Sequence, residues 1–301
     1  VTFFCYLCIE NYGSPMRTRL LLWFLLPVQL LFAQRNMKQL EMEMLRLTEG
    51  FKGDIGFYVE EIKTGKHIGS KADTIFPTAS IVKVPILIGV MDKIGKGELE
   101  YHQKLTYRDS LLYEGEDILG SFKDGEKIEL SKVMMLMLAL SDNTASLWLQ
   151  RLAGTGTRIN ELMADLGLTH TRVNSRTPGR EEFQKRYGWG QSTPREMASL
   201  FNMIWSGKVV SPGACERMIR LMGRNHWDEE ALIAIPPGVF VASKSGAVNA
   251  SRSEVLLVNG KRPYIFSIFT KNNTDKSWET GNEAWELTRK LSALVWKYFD
   301  K

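Results

Sequence analysis

Cysteine is nearly absent from this chain: three occur in 301 residues, Cys5, Cys8 and Cys215. The first two precede a segment that reads as a removable leader, so the remainder holds one thiol and has no internal disulfide to form. Histidine is as sparse. His67, His102, His170 and His226 stand alone, with neither His-x-His nor His-Glu-x-x-His spacing, so each reads as a surface or structural residue and no metal or other cofactor is expected. The glycines form no phosphate-binding fingerprint. No basic run interleaves with aromatics, which argues against a nucleic-acid partner. The formal charge of +5 is spread along the chain and reads as solubility, with a mild bias toward anionic ligands. No apolar run reaches the ~18 residues of a membrane span. There is no internal repeat and no low-complexity segment.

What is present is an ordinary globular composition, 44% hydrophobic and 24% charged, enough for one large domain or two interlocked subdomains. Near the N-terminus, Met16-Arg17-Thr18-Arg19 precedes a Leu-, Trp- and Phe-rich stretch from Leu20 to Phe32, broken by Pro27, and then Ala33-Gln34. A basic head, an apolar middle and a small terminal residue describe a secretory signal peptide over 16–33. The expected address is periplasmic or secreted, with membrane contact only through that peptide. Residues 1–15 look like no domain and read as an upstream extension, with Met16 the true start.

From residue 34 the periodicity predicts an amphipathic helix over 36–49, a strand over 55–62, a hairpin turn at Lys63–Lys66 and a second short strand. A helix begins at Ser80 and ends near Gly95. Ser131 is expected to cap an apolar helix from Val133 to Leu140, with two more helices before 166. A long loop over 167–192 follows, and loops of this length are usually functional. Thr193-Pro194 and Ser211-Pro212 each open a helix, since proline suits the first helical turn. Three strand-like runs, 239–244, 254–259 and 264–270, precede a closing helix over 278–299. Strands at both ends of the chain flank a helical middle. The expected fold is therefore α+β: an antiparallel sheet of about five strands flanked by helices, from 34–75 and 225–301, beside an all-helical lobe over 76–224, with a ligand cleft between them.

Three short motifs carry the chemistry. Ser80-x-x-Lys83 puts a hydroxyl and an amine on one helical face, where the amine can take the serine's proton if its pKa is lowered. Ser141-Asp142-Asn143 lies in the break between two helices. Lys244-Ser245-Gly246 follows at the end of a strand. In this order and these contexts the chain resembles the active-site serine penicillin-recognising enzymes, most closely the class A β-lactamases, over roughly 36–300. Thr193-Pro194 and the turn from Ala247 into Arg252 add to the match.

The resemblance implies that Ser80 attacks a strained cyclic amide and becomes acylated. Lys83 is a candidate base, and Ser141 relays a proton toward the leaving nitrogen. Asn143 orients Lys83 and the substrate amide. Lys244 and Ser245 meet the substrate carboxylate, Gly246 completes that motif, and Arg252 stands where the family often carries a carboxylate-binding arginine. Alone, Arg252 also reads as a strand-edge charge. The N–H groups of Ser80 and Ala247 form the oxyanion hole.

One departure matters. The family's loop glutamate, which activates the deacylating water, aligns with Thr177, which cannot act as a base. Glu181 and Glu182 are the carboxylates near enough in sequence to substitute, or else surface groups. The expectation is a monomeric secreted serine hydrolase that is acylated by β-lactams and hydrolyses them slowly. Its rivals are a penicillin-binding-protein-like D-Ala-D-Ala peptidase or transpeptidase acting on cell-wall peptide, and a non-hydrolytic β-lactam or peptidoglycan-fragment binder.

Overall fold

The computed structural model describes residues 37–113, 115 and 117–300. The stretches expected to be an upstream extension, 1–15, and a signal peptide, 16–33, with Cys5 and Cys8, lie outside the described residues. Contacts group Leu40–Lys301 into a single unit; of the other unit, 1–39, only 37–39 are described. Among the described residues no helix is long and apolar enough to cross a membrane.

The first helix, α1, covers 37–48 and buries Leu40 and Met44 four residues apart. A five-stranded antiparallel sheet is assembled from both ends of the chain. Its strands are β1 (Asp54–Glu61), β2 (His67–Ser70), β8 (Phe240–Val248), β9 (Ser251–Asn259) and β10 (Tyr264–Lys271), in the order β2-β1-β10-β9-β8. The closing helix α9 (Glu283–Phe299) packs on β10, while α7 (Pro194–Trp205) packs on β1, β10 and β9. With cover on both faces, eight of the nine residues of β9 are buried. The inner strands accordingly read as continuous apolar runs rather than alternating ones.

The other helices are α2 (Lys83–Gly95), α3 (Leu130–Ala139), α4 (Asn143–Leu152), α5 (Thr155–Asp165), α6 (Glu181–Tyr187) and α8 (Pro212–Met222). Of these, α2 to α5 and α8 pack on one another. Helix α2 buries nine consecutive residues from Lys83 to Met91, as expected of a central helix wrapped by others.

The structure differs from the expectation at several places. The closing helix begins at Glu283 rather than at 278, and the segment 76–224, expected to be all-helical, also holds five short strands. Ser131 does not cap α3; Glu129 occupies that position, and the Ser131 hydroxyl donates to the Glu129 carboxylate at 3.1 Å. Residues 167–192 are not an open loop: they contain α6 and the short strands β6 (Arg172–Val173) and β7 (Gly190–Ser192), which pair with β3 (Phe76–Pro77) in the order β3-β7-β6. Finally, β8 does not end at Lys244 but continues to Val248, turning into β9 through Asn249 and Ala250.

Candidate active site

Ser80 lies in a 3-10 turn, Ala79–Val82, that runs directly into α2. That turn is held by the Ile81 N–H donating to Thr78 O at 3.0 Å, and Thr78 N–H donates to Gly190 O at 3.0 Å. Ala79 has φ 44° and Ser141 φ 60°. Left-handed backbone at residues with a Cβ costs ~1 kcal/mol or more and is retained where the surroundings impose it. Here it aims two serines at one point.

The Lys83 side chain, fully buried, joins the two. Its Nζ lies 2.9 Å from Ser80 Oγ, 3.0 Å from Ser141 Oγ, 2.5 Å from Ser141 O and 2.9 Å from Asn143 Oδ1. Asp142, between the motif's other members, organises the break. Its Oδ1 accepts from Ala145 N–H at 2.7 Å, capping α4, and its Oδ2 accepts from Ile118 and Leu119 N–H at 2.7 and 2.9 Å. The capping preference of aspartate was the available signal for the first contact; nothing in the sequence pointed to the second.

Strand β8 closes the site from the sheet side. A Cβ built on Gly246 would come within 2.4 Å of Thr78 O and 3.0 Å of Ser80 N, so only glycine lets the strand approach the nucleophile's turn. Ala247, next along, borders the cleft with Ser80. Lys244 is fully buried, with Nζ donating to Ser245 O at 2.8 Å. Two cavities meet at Ser80. One of about 250 Å³ has Ser141, Ser245 and Gly246 in its wall. The other, about 780 Å³, has Asn143, Tyr113 and Trp189.

Arg252 is placed differently from either expectation. It is fully buried in β9. Its guanidinium donates to Asn249 O and Ser251 O at 2.9 Å and to Ser277 O at 2.8 Å, and it stacks on Trp278 and Trp285 at 4.5 and 4.7 Å from the ring centres. It borders neither cavity. It fastens the segment before α9 to the β8–β9 hairpin.

The 167–192 region also turns its candidates away. The buried Thr177 donates to Ser175 O at 3.0 Å and packs over Gly156 of α5, where a Cβ would lie 1.8 Å from its Oγ1. Glu181 and Glu182 sit exposed in the first turn of α6, the former accepting from Gly179 N–H at 3.1 Å, the latter paired with Lys185 at 2.7 Å. None of the three borders the cavities at Ser80; the residues from this region that do are Gln184 to Trp189. The region is anchored elsewhere. Glu196 accepts from the Thr171 hydroxyl at 2.7 Å and from the N–H groups of Thr169, His170 and Thr171. Burial pushes the Glu196 carboxyl up, but these bonds outweigh it and hold it below the usual range.

Among the described residues no three or more His, Cys, Asp or Glu are grouped to hold a metal ion.

A family model described as "Beta-lactamase enzyme family" matches residues 39–299. Beta-lactamase SME-1 of Serratia marcescens is 26% identical over 251 residues, covering 78% of this chain and 82% of the relative. An imipenem-hydrolyzing beta-lactamase of Enterobacter cloacae is 24% identical over 255 residues, covering 80% and 84%. Among solved structures, TLA-1 extended spectrum beta-lactamase superposes with a TM-score of 0.79 at 16% identity, over 88% of this chain and all of the other. PBP-A does so with 0.77 at 23% identity, over 87% and 96%. These two likenesses concern the fold.

Proposed function

The chain belongs to the β-lactamase enzyme family, and from that premise we propose that it is a serine hydrolase acylated at Ser80 by β-lactam amides, released slowly from the acyl-enzyme. The observation that carries the reading is the position of Lys83 Nζ between Ser80 Oγ, Ser141 Oγ and Asn143 Oδ1. As a neutral amine, Lys83 turns its lone pair to Ser80 and donates its two N–H groups to Ser141 O and Asn143 Oδ1. It then takes the Ser80 proton as Oγ attacks the carbonyl; as the amide C–N bond breaks, Ser141 gives its proton to the leaving nitrogen and is reprotonated by the Lys83 ammonium 3.0 Å away. The oxyanion falls between the N–H groups of Ser80 and Ala247, brought together by the close approach of Gly246. Such donors are worth ~3–4 kcal/mol each in the transition state. Lys244 brings a positive charge to the same strand.

The second step lacks a base in the usual place, since Thr177, Glu181 and Glu182 border neither cavity at Ser80. That observation also supports the second reading, in which the acylated site serves a cell-wall peptide transfer or recognition. Intact mass spectrometry of the chain from Gln34 with benzylpenicillin, beside Ser80→Ala, tests both. An adduct absent from the control that decays over minutes to hours, with product accumulating, is the expected result. One that never decays would transfer the assignment to a transpeptidase or binder. No adduct on folded protein would remove β-lactams as substrates. A leader that directs export, as the residues before Gln34 suggest, fits cell-wall or antibiotic substrates.

A further inference from the structure

The two cavities at Ser80 differ in charge. The smaller has carboxyl groups in its wall: Glu229, Glu230 and Glu254, the last buried in β9 and pushed up to about 8 by that burial. The larger has, among the described residues, Lys185, Arg186 and Lys271 in its wall and no aspartate or glutamate. These cations come from elements that the acylation chemistry does not use. Lys185 and Arg186 stand in the last turn of α6, and Lys271 ends β10. Lys185 is held by Glu182 at 2.7 Å. Arg186 is exposed and lies over the Tyr187 ring at 5.2 Å, and neither it nor Lys271 is in an ion pair among the described residues. The half-buried Lys271 gives one N–H to Ile75 O at 2.9 Å and sits 4.9 Å over the Phe76 ring. Asp54, opposite it in the register, is taken by Lys71 at 3.0 Å and by Asn272 at 2.8 Å. Burial draws the Lys271 ammonium down; Asp54 opposes this, and the charges of Arg186 and Lys71 add to it. The same cavity takes the acyl side of a substrate, since Asn143, expected at the substrate's side-chain amide, borders it and not the smaller one. Ile75 precedes Ser80 by five residues, so the anchor of Lys271 lies within ~18 Å of the nucleophile's Cα.

We propose that the part of the larger cavity between α6 and the end of β10 is a subsite for a carboxylate on the acyl side of the substrate, held by Lys271 and Arg186. The proposal rests on the reading of Ser80 as the acylated residue and names the kind of substrate that reaches it. After its bond to Ile75 O, the Lys271 ammonium keeps two N–H groups for the carboxylate, and the guanidinium fork of Arg186 supplies a charge-assisted pair. Lys271 is the fixed partner, because its stem is packed on Phe76. Arg186 is the mobile one and loses side-chain freedom when it closes on the ligand. A single-sign wall also raises the local concentration of an anionic substrate. A β-lactam side chain and a cell-wall peptide can both present such a carboxylate.

Binding is measured first, apart from the acylation chemistry. Ser80→Ala protein at pH 7 is titrated with penicillins whose 6-amino group carries either an adipoyl chain, ending in a carboxylate, or a hexanoyl chain, ending in a methyl group. The adipoyl compound is expected to bind about tenfold more tightly. That ratio should shrink in ~0.5 M salt and fall toward one in the Lys271→Met and Arg186→Gln backgrounds. Arg186 is exposed, so its variants retain the fold. Arg186→Glu should shift the preference toward the 6-aminohexanoyl penicillin, whose chain ends in an ammonium. Succinyl and suberoyl analogues, shorter and longer, cover the span to Lys271. No anion advantage at any length, or one that survives loss of both cations, would overturn the proposal. Lys271→Met weakening both compounds alike would give that residue a packing role and would overturn it too. Acylation of Ser80 in the unaltered chain is then compared for the same penicillins, with N-adipoyl- and N-hexanoyl-D-Ala-D-Ala as competitors of labelling by a fluorescent penicillin. An anion preference among the penicillins alone assigns the subsite to β-lactam side chains, one in both series to a cell-wall peptide, and none in either overturns the proposal. If no compound acylates Ser80, the hydrolase reading fails, and the binding titration still decides the carboxylate subsite.

Discussion

At the scale of single residues, Gly246 and Glu254 make the sharpest claims. Gly246→Ala places a methyl group 2.4 Å from Thr78 O, so β8 must retreat and carry the Ala247 N–H with it. A displacement of about 1 Å in such a site costs ~100-fold. Labelling by a fluorescent penicillin should slow by that order while the circular dichroism stays native. Glu254 makes a claim about stability. Its folded pKa of about 8 stands above the ordinary 4.5, so between those values the folded chain keeps a proton that the unfolded chain has lost. Stability from this group therefore falls as pH rises through the window. Glu254→Gln removes that slope: near-equal stability at pH 4.5 and a gain on the order of a few kcal/mol by pH 8, read by urea unfolding at the two values. How much of the site was legible differs by residue. A serine and a lysine three apart need only helical geometry to meet. The outward turn of Thr177 depends on the room left by Gly156 on another helix, and the buried state of Arg252 depends on Trp278 and Trp285, so neither is written in local spacing.

At the scale of elements, the termini that carry their own chemistry were legible. Thr193 and Ser211, each followed by proline, cap α7 and α8 with their hydroxyls accepting from Glu196 and Ala214 N–H. The first sheet strand was legible from the alternation of Ile55, Phe57 and Val59, and the last three as strand-like runs. The interior of 167–192 was not, because α6 has seven residues with only Tyr187 buried, and β6 and β7 exist only through pairing with β3. Pattern reading needs a longer stripe than these supply. The element junction most exposed to test is the start of α4. Asp142→Ala leaves the N–H groups of Ala145, Ile118 and Leu119 without their acceptor. A lost cap and unpaired buried donors together cost ~2–4 kcal/mol, which should lower Tm on the order of 5–10 °C in a chain of this size. Acylation should slow as well, since Ser141 and Asn143 flank the pin.

At the scale of the whole molecule, the α+β arrangement followed from strands at both ends of the sequence and helices between them. The packing of α7 on the sheet was not visible, since its apolar face is equally suited to another helix. The close approach of Gly246 to Ser80 has a consequence for how the protein comes into being. It joins parts of the chain more than half its length apart, and β1 must likewise wait for β10, its partner across the register Asp54–Lys271. Local helices form in microseconds, whereas sheets closed over such separations form late. The nucleophile's surroundings are thus completed only at the last stage of folding. In refolding from urea, helical ellipticity should return in an early phase, and capture of a fluorescent penicillin should return only with the slowest one. A single shared rate for the two signals would contradict this order. A newly made chain would accordingly carry its Ser-x-x-Lys pair through most of its folding without the power to use it.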